Sequence, residues 1–371
     1  MGTPREILTP SQGARFGAVS GFLLKLLREA AGFTQAEFAE RLGVDISTVS
    51  SWESGRRPLA NLRAGELTRI RMLLTRHGAP SQAIALFDDA LQADLIIGDT
   101  IAGEPHTIGV EEHPLSVSIH QRTLANLITW PINGRPPVQL DELSDRRGRG
   151  PRPARPVVSA TERQRFFDHL LVVADRCREP GDALLRRQAI YLLGFDDRDD
   201  SAEWLASELI RALRSVALTD VPGWLRVRSS AIALATTGDR DPLRAYLTRM
   251  HDDQAQELTN LTYYAYWVGE LGPGTLTDDA SMARIEPAAW SGEQLLRHLL
   301  ERLQPGTEQA DLYAHTLADL LASHPHLLAA NPALREATHA AVERMRDDTD
   351  LMPQARQDLA NVAYAVRLSS R

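Results

Sequence analysis

The chain has 371 residues, of which 43% are hydrophobic, 24% charged and only 6% aromatic; it holds one cysteine and a net charge of -8. That length is two to three times an ordinary domain, so two or three folded units are expected rather than one core, and the composition excludes the disordered and fibrous classes. Cys177 alone can form neither an internal disulfide nor a cysteine zinc cage, no apolar run nears the roughly 20 residues that cross a bilayer, and Met1 to Pro10 lacks a leader's basic-then-apolar order; a cytoplasmic protein without membrane contact is expected.

The net charge averages over modules of opposite sign. Residues 1–80 carry eleven Arg and Lys against seven Asp and Glu, or +4, and residues 81–130 carry one against seven, or -6. Residues 131–158 carry six against three, or +3, and residues 159–371 carry twenty-three against thirty-two, or -9. Such alternation points to separate modules with separate partners, and the first module is basic enough for nucleic acid.

Five helices are expected at the start: Val19–Ala31, Thr34–Leu42, Asp45–Ser54, about Leu62–Arg76 and Ser81–Ile97. Thr34 and Glu37 stand in the S/T-x-x-E relation of a capping box, so a helix begins at Thr34. Phe38, Ala39 and Leu42 follow at helical spacing, and Gly43 can take the left-handed conformation that ends the helix. Asp45 is placed to cap the next helix, where Val49 and Trp52 share one face. Two short helices joined by a tight turn form a helix-turn-helix unit.

These residues resemble the bacterial and phage Cro/C1-type repressors, also called the xenobiotic-response-element type of regulator. The resemblance spans about Arg15 to His77 and rests on Gln35, Ala39, Gly43, Val49, Trp52 and the run Glu53-Ser54-Gly55-Arg56-Arg57-Pro58. It implies a five-helix, lambda-repressor-like bundle over residues 1–80 whose second motif helix enters the major groove of double-stranded DNA. Ile46, Ser47, Thr48, Ser50 and Ser51 would then meet base edges, with Ile46 and the Thr48 methyl suited to thymine methyl groups. Thr34, through the amides at its helix start, Gln35, Arg56 and Arg57 would hold phosphates. The recognition helix carries no basic residue, which departs from a guanine-reading pattern and shifts affinity onto the flanking arginines and onto dimerisation.

Residues 81–130 read as a connecting region with a dimerisation role. Ser81–Ile97 shows an apolar stripe of Ala83, Ile84, Phe87, Leu91 and Leu95. Further on the pattern divides: Leu115, Val117 and Ile119 alternate as in a strand, while Leu124, Leu127 and Ile128 recur as in a helix. His106, His113 and His120, with Glu111 and Glu112, fit no short metal-ligand spacing and read as satisfied or solvated side chains. Residues 131–158 are rich in Pro and Arg and read as a linker. Its Arg146, Arg147, Arg149, Arg152 and Arg155 serve either a soluble tether or sequence-independent phosphate contacts.

From Ser159 to Arg371 every pattern is helical, so the whole chain is expected to be all-α. Ser159 with Glu162, and Ser291 with Gln294, read as capping boxes; Asp241-Pro242 and Asn331-Pro332 read as a cap followed by proline. Arg186–Leu193 aligns on Arg228–Ala235 at an offset of 42, matching Arg, Ala, Ile and Leu, which looks like stacked HEAT-type pairs or a tetratricopeptide-like solenoid. Tyr263, Tyr264, Tyr266 and Trp267 either pack a core or line a ligand groove. No nucleotide loop, nucleophile elbow or other catalytic constellation is present, and no cofactor or bound metal is expected. The expected protein is a DNA-binding regulator, not an enzyme, working as a homodimer under a small-molecule or peptide effector. The alternative readings are a helical-repeat interaction scaffold or a peptide-sensing quorum regulator localised to DNA.

Overall fold

In the computed structural model the described residues are 16–103, 113–118, 122–140, 143, 155–179, 182–215, 221–251, 253–268, 270–271 and 290–369. They are helical, with no strand among them. The chain divides into two compact units, Met1–Val172 and Val173–Arg371.

The first unit begins with α1 (Ala18–Ala30), α2 (Gln35–Leu42) and α3 (Ile46–Glu53). A 3₁₀ turn (Leu59–Asn61) leads to α4 (Ala64–Arg76), and then come α5 (Ser81–Ala85) and α6 (Phe87–Ala102). The five expected helices are all present, with the fifth broken at Leu86. The inward face of α6 is Phe87, Ala90, Ala93, Asp94 and Ile97, while Leu95, eight residues after Phe87 and so about 80° round the helix from it, is exposed. α6 packs along α1, and α1 also meets α3. Where α1 crosses α3 the backbones nearly touch: a Cβ on Gly21 would lie 2.2 Å from the Trp52 carbonyl oxygen.

The ambiguous stretch resolves as helix in its described parts, α7 (Pro114–Ser118) and α8 (Arg122–Asn133). Alternating Leu115 and Val117 do not make a strand because Pro114 opens a helical turn and Ser118 closes it by donating its hydroxyl to the Leu115 carbonyl. α8 runs through Pro131, and it packs on α6 and α1 through Leu124, Leu127, Ile128 and Trp130. Part of the stretch read as linker is therefore packed: Ile132, Leu140 and Leu143 are buried. His113 is buried and satisfied. It takes the Leu115 amide on Nδ1 and meets Nε2 of His169 at 3.0 Å, while His169 Nδ1 faces the Gly103 carbonyl at 3.1 Å. His106, His120, Glu111 and Glu112 lie outside the described residues.

α9 (Ala160–Arg176) carries the Ser159–Glu162 capping box as expected, with both reciprocal bonds formed. The second unit continues with α10 (Ala183–Leu193), α11 (Asp199–Ser215), α12 (Val221–Thr236), α13 (Asp241–His251) and α14 (Gln254–Trp267). It ends with α15 (Glu293–Arg302), α16 (Ala310–Ser323), α17 (His326–Ala330), α18 (Pro332–Met345) and α19 (Pro353–Leu368). Most helices pack on one of the next two, α10 on α12, α12 on α13 and α14 on α16, while α16 packs on the last helix, α19. Asn331 caps α18 with Pro332 at its start, as expected, by accepting from the Ala333 and Leu334 amides. The Ser291–Gln294 capping box is not formed. Glu270 takes its place, accepting from the Ser291 hydroxyl and from the amides of Gly292, Gln294 and Leu295.

Candidate nucleic-acid interface

The local sequence builds the α2–α3 unit from its caps inward. Thr34 accepts the Glu37 amide at 3.2 Å, and Glu37 accepts the Thr34 amide at 2.8 Å, so both halves of the capping box are made. Gly43 ends α2 with φ +68°, a conformation that costs a side-chain-bearing residue, and frees the chain to turn. Asp45 occupies the cap of α3 but its side chain makes no capping bond, in contrast to the expectation from its position. Phe38, Ala39, Leu42, Val49 and Trp52 are all buried, which fixes the angle between the two helices.

The residues of α3 other than Val49, Trp52 and Glu53 face outward. Ile46 is 52% exposed, Ser47 is exposed as well, and Thr48, Ser50 and Ser51 are partly exposed. Beyond the helix Arg56 and Arg57 are exposed, and the Arg56 Nε donates to the Ser54 hydroxyl at 3.1 Å, which steers that guanidinium along the end of α3. Thr34 is exposed at the start of α2, so the first amides of that helix lie at the surface. Gln35 is half-buried, and its side-chain amide donates to Glu53 at 2.6 Å.

That contact belongs to a network the sequence pattern did not reveal. Arg28 of α1, 3% exposed, pairs with Glu53 of α3, 8% exposed, and also donates to the Phe33 carbonyl at 2.6 Å. One buried ion pair thereby ties α1, the loop before α2, and α3 together. Glu53 lies four residues after Val49, so helical spacing alone puts it on the buried face. A second such residue is Asp94 of α6. It is fully buried and accepts the amides of Val19 and Ser20 at 2.9 and 3.0 Å, capping α1 from another helix. Burial pushes its carboxyl up to about 7, with Ser20 and the Val19 amide pulling the other way. Asp94 follows Phe87 by seven residues, a spacing that places it on the apolar stripe.

Residues 21–95 match a family model described as a helix-turn-helix domain. The chain carries a helix-turn-helix domain, a DNA-binding fold. No curated protein and no solved structure matches it. The match extends past His77 to the residues around Asp94, in keeping with the way α6 completes the packing of α1.

Of the other expected contact residues, Arg155 is exposed, and Arg146, Arg147, Arg149 and Arg152 lie outside the described residues. Among the described residues no helix is long and apolar enough to cross a membrane. In the second unit Tyr263 and Tyr264 are buried and enclose Arg228, whose guanidinium carbon sits 4.6 and 4.7 Å from their ring centres. Those two rings are core, because consecutive helical positions pointing to either side of Arg228 leave no open face. Tyr266 and Trp267 are half-buried, with Trp267 edge-on to Tyr191.

Proposed function

We propose that the chain is a sequence-specific transcriptional regulator of the Cro/C1 type. In this reading α3 enters the major groove, Ile46 and Thr48 touch thymine methyl groups, and Ser47, Ser50 and Ser51 reach base edges or phosphates. Arg56, Arg57 and the amides at the Thr34 end of α2 hold the backbone. The observation that carries it is the exposed face of α3. A half-exposed isoleucine among small hydroxyl side chains, on a helix whose opposite face is locked by a buried ion pair, is a rigid reading head.

The protein acts as a cytoplasmic homodimer, placing two α3 helices about one DNA turn apart on an inverted repeat, and performs no catalysis. Its C-terminal helices receive a small molecule or peptide and shift the dimer between DNA-competent and incompetent arrangements. A helical-repeat character for that region is supported by α10 and α12. They carry the matched segments Arg186–Leu193 and Arg228–Ala235 and pack directly on each other, with Gly194 against Ala233. Selection of duplexes from a random pool by the full chain, at one stated salt concentration, tests the reading. An enriched inverted repeat is expected, and a pool left without enrichment refutes it.

A further inference from the structure

The C-terminal unit contains a cluster of imidazoles and carboxylates that DNA binding does not use. His251 closes α13, Glu257 lies in the first turn of α14, and His315 and Asp319 stand one turn apart on α16. One ligand atom from each of His251, Glu257 and His315 lies within 4.8 Å of the other two. His251 Nδ1 is 3.6 Å and His315 Nε2 is 3.9 Å from Glu257 Oε1, and Asp319 Oδ2 is 3.3 Å from His315 Nε2.

His315 decides what the cluster is for. It is 3% exposed, and its Nδ1 meets Asp358 Oδ2 of α19 at 3.1 Å. The other Asp358 oxygen accepts from the Gln354 side chain at 3.2 Å. A carboxylate on Nδ1 sets a hydrogen there and turns Nε2 toward the cluster, where it can hold either a proton shared with Asp319 or a metal ion. That Nε2, and the Asp319 Oδ2 facing it, are buried atoms without a hydrogen bond. Nε2 and that carboxylate oxygen need a positive centre between them, which a proton or a metal ion supplies.

We propose that His251, Glu257 and His315 bind a divalent transition metal ion of the zinc type, with Asp319 beside them as a further oxygen ligand and Asp358 orienting His315. Ligands at zinc–nitrogen and zinc–oxygen distances of about 2.0–2.1 Å in a tetrahedron stand roughly 3.3 Å apart; the two histidine–Glu257 pairs stand at 3.6 and 3.9 Å. Two imidazoles with carboxylates select zinc, cobalt or nickel over magnesium or calcium, which prefer all-oxygen sets. Asp358 on His315 reproduces the carboxylate–histidine–metal relation that fixes a ligand's direction. The His251 side chain is 46% exposed, which provides an entry path for the ion, whereas His315 sits at the closed end. The ion would join the α13–α14 turn to α16, and through Asp358 to α19. None of these residues belongs to the helix-turn-helix domain, so the site is testable without DNA.

The test is calorimetric titration of the full chain, stripped with chelator, by zinc chloride alone, repeated with cobalt chloride while visible absorption is recorded. One ion per chain is expected, with the cobalt band of a four-coordinate nitrogen–oxygen site. His251→Ala and Glu257→Gln should each weaken zinc binding by at least about tenfold, and Asp358→Asn by about 10–100-fold. His326→Ala, at an exposed histidine elsewhere in the same unit, should leave it unchanged. His251→Ala removes a partly exposed side chain, so it remains informative if Asp358→Asn does not fold. Absence of saturable binding by either ion, or equal binding by wild type, His251→Ala and Glu257→Gln, overturns the proposal.

Discussion

Single residues in this protein act chiefly through burial. Arg28 and Glu53 are worth little as attraction in water, but with both buried the loss of one strands the other's charge. Glu53→Ala should therefore lower unfolding free energy by about 3 kcal/mol, whereas Glu40→Ala, at an exposed position of α2, should change it by less than about 0.5 kcal/mol; urea denaturation compares the two. His113 and His169 form the complementary case, a neutral pair whose hydrogen bonds leave no place for an added proton. Burial, aided by the charge His169 would carry, lowers His113 from its ordinary 6.5 to about 4, and burial lowers His169 too. The unfolded chain then binds more protons between those values, so this pair's contribution is complete above about pH 6.5 and is lost as pH falls toward 4. Melting curves between neutral pH and pH 4.5 should show a steeper decline for the wild type than for His113→Gln.

At the scale of elements, the legible parts of the sequence were those whose signal is local. The Thr34–Glu37 box, Gly43 and the Val49–Trp52 pair define α2 and α3 within a few residues of one another, and the structure places them as the pattern predicts. The parts that were not legible depend on partners distant in sequence. Asp94 caps α1 from 75 residues away, and Glu270 serves the start of α15 in place of the local Ser291–Gln294 pattern. The cluster around His315 is hidden for the same reason, since His251 and Glu257 lie more than fifty residues before His315 and Asp358 lies 43 after it. Gly21 shows how tight such distant contacts are. A methyl group there would collide with the Trp52 carbonyl, so Gly21→Ala should cost about 1–3 kcal/mol despite alanine's better helix propensity, and thermal melting measures it.

For the whole molecule, the net charge of -8 conceals a first module, residues 1–80, of +4; the acidic residues 81–130 bring the first compact unit, Met1–Val172, back to 20 Arg and Lys against 19 Asp and Glu, and Val173–Arg371 carries 21 against 30. The phosphate anchoring proposed for Arg56 and Arg57 should appear as salt dependence. Replacing both with alanine should weaken binding to all duplexes alike and reduce the slope of log affinity against log salt by about 2, as read by anisotropy titrations at several salt concentrations. Base reading, which the proposed function assigns to α3, should vary with sequence instead. The most direct test of that assignment is the affinity of the full chain for its selected duplex when thymines in the recognition half-sites are replaced by uracil, which deletes only the major-groove methyl groups. The wild type should lose affinity by about five- to tenfold, and Ile46→Ala, already lacking the apolar contact, should lose much less. Equal losses for both proteins, or no loss for the wild type, would contradict the placement of α3 in the major groove.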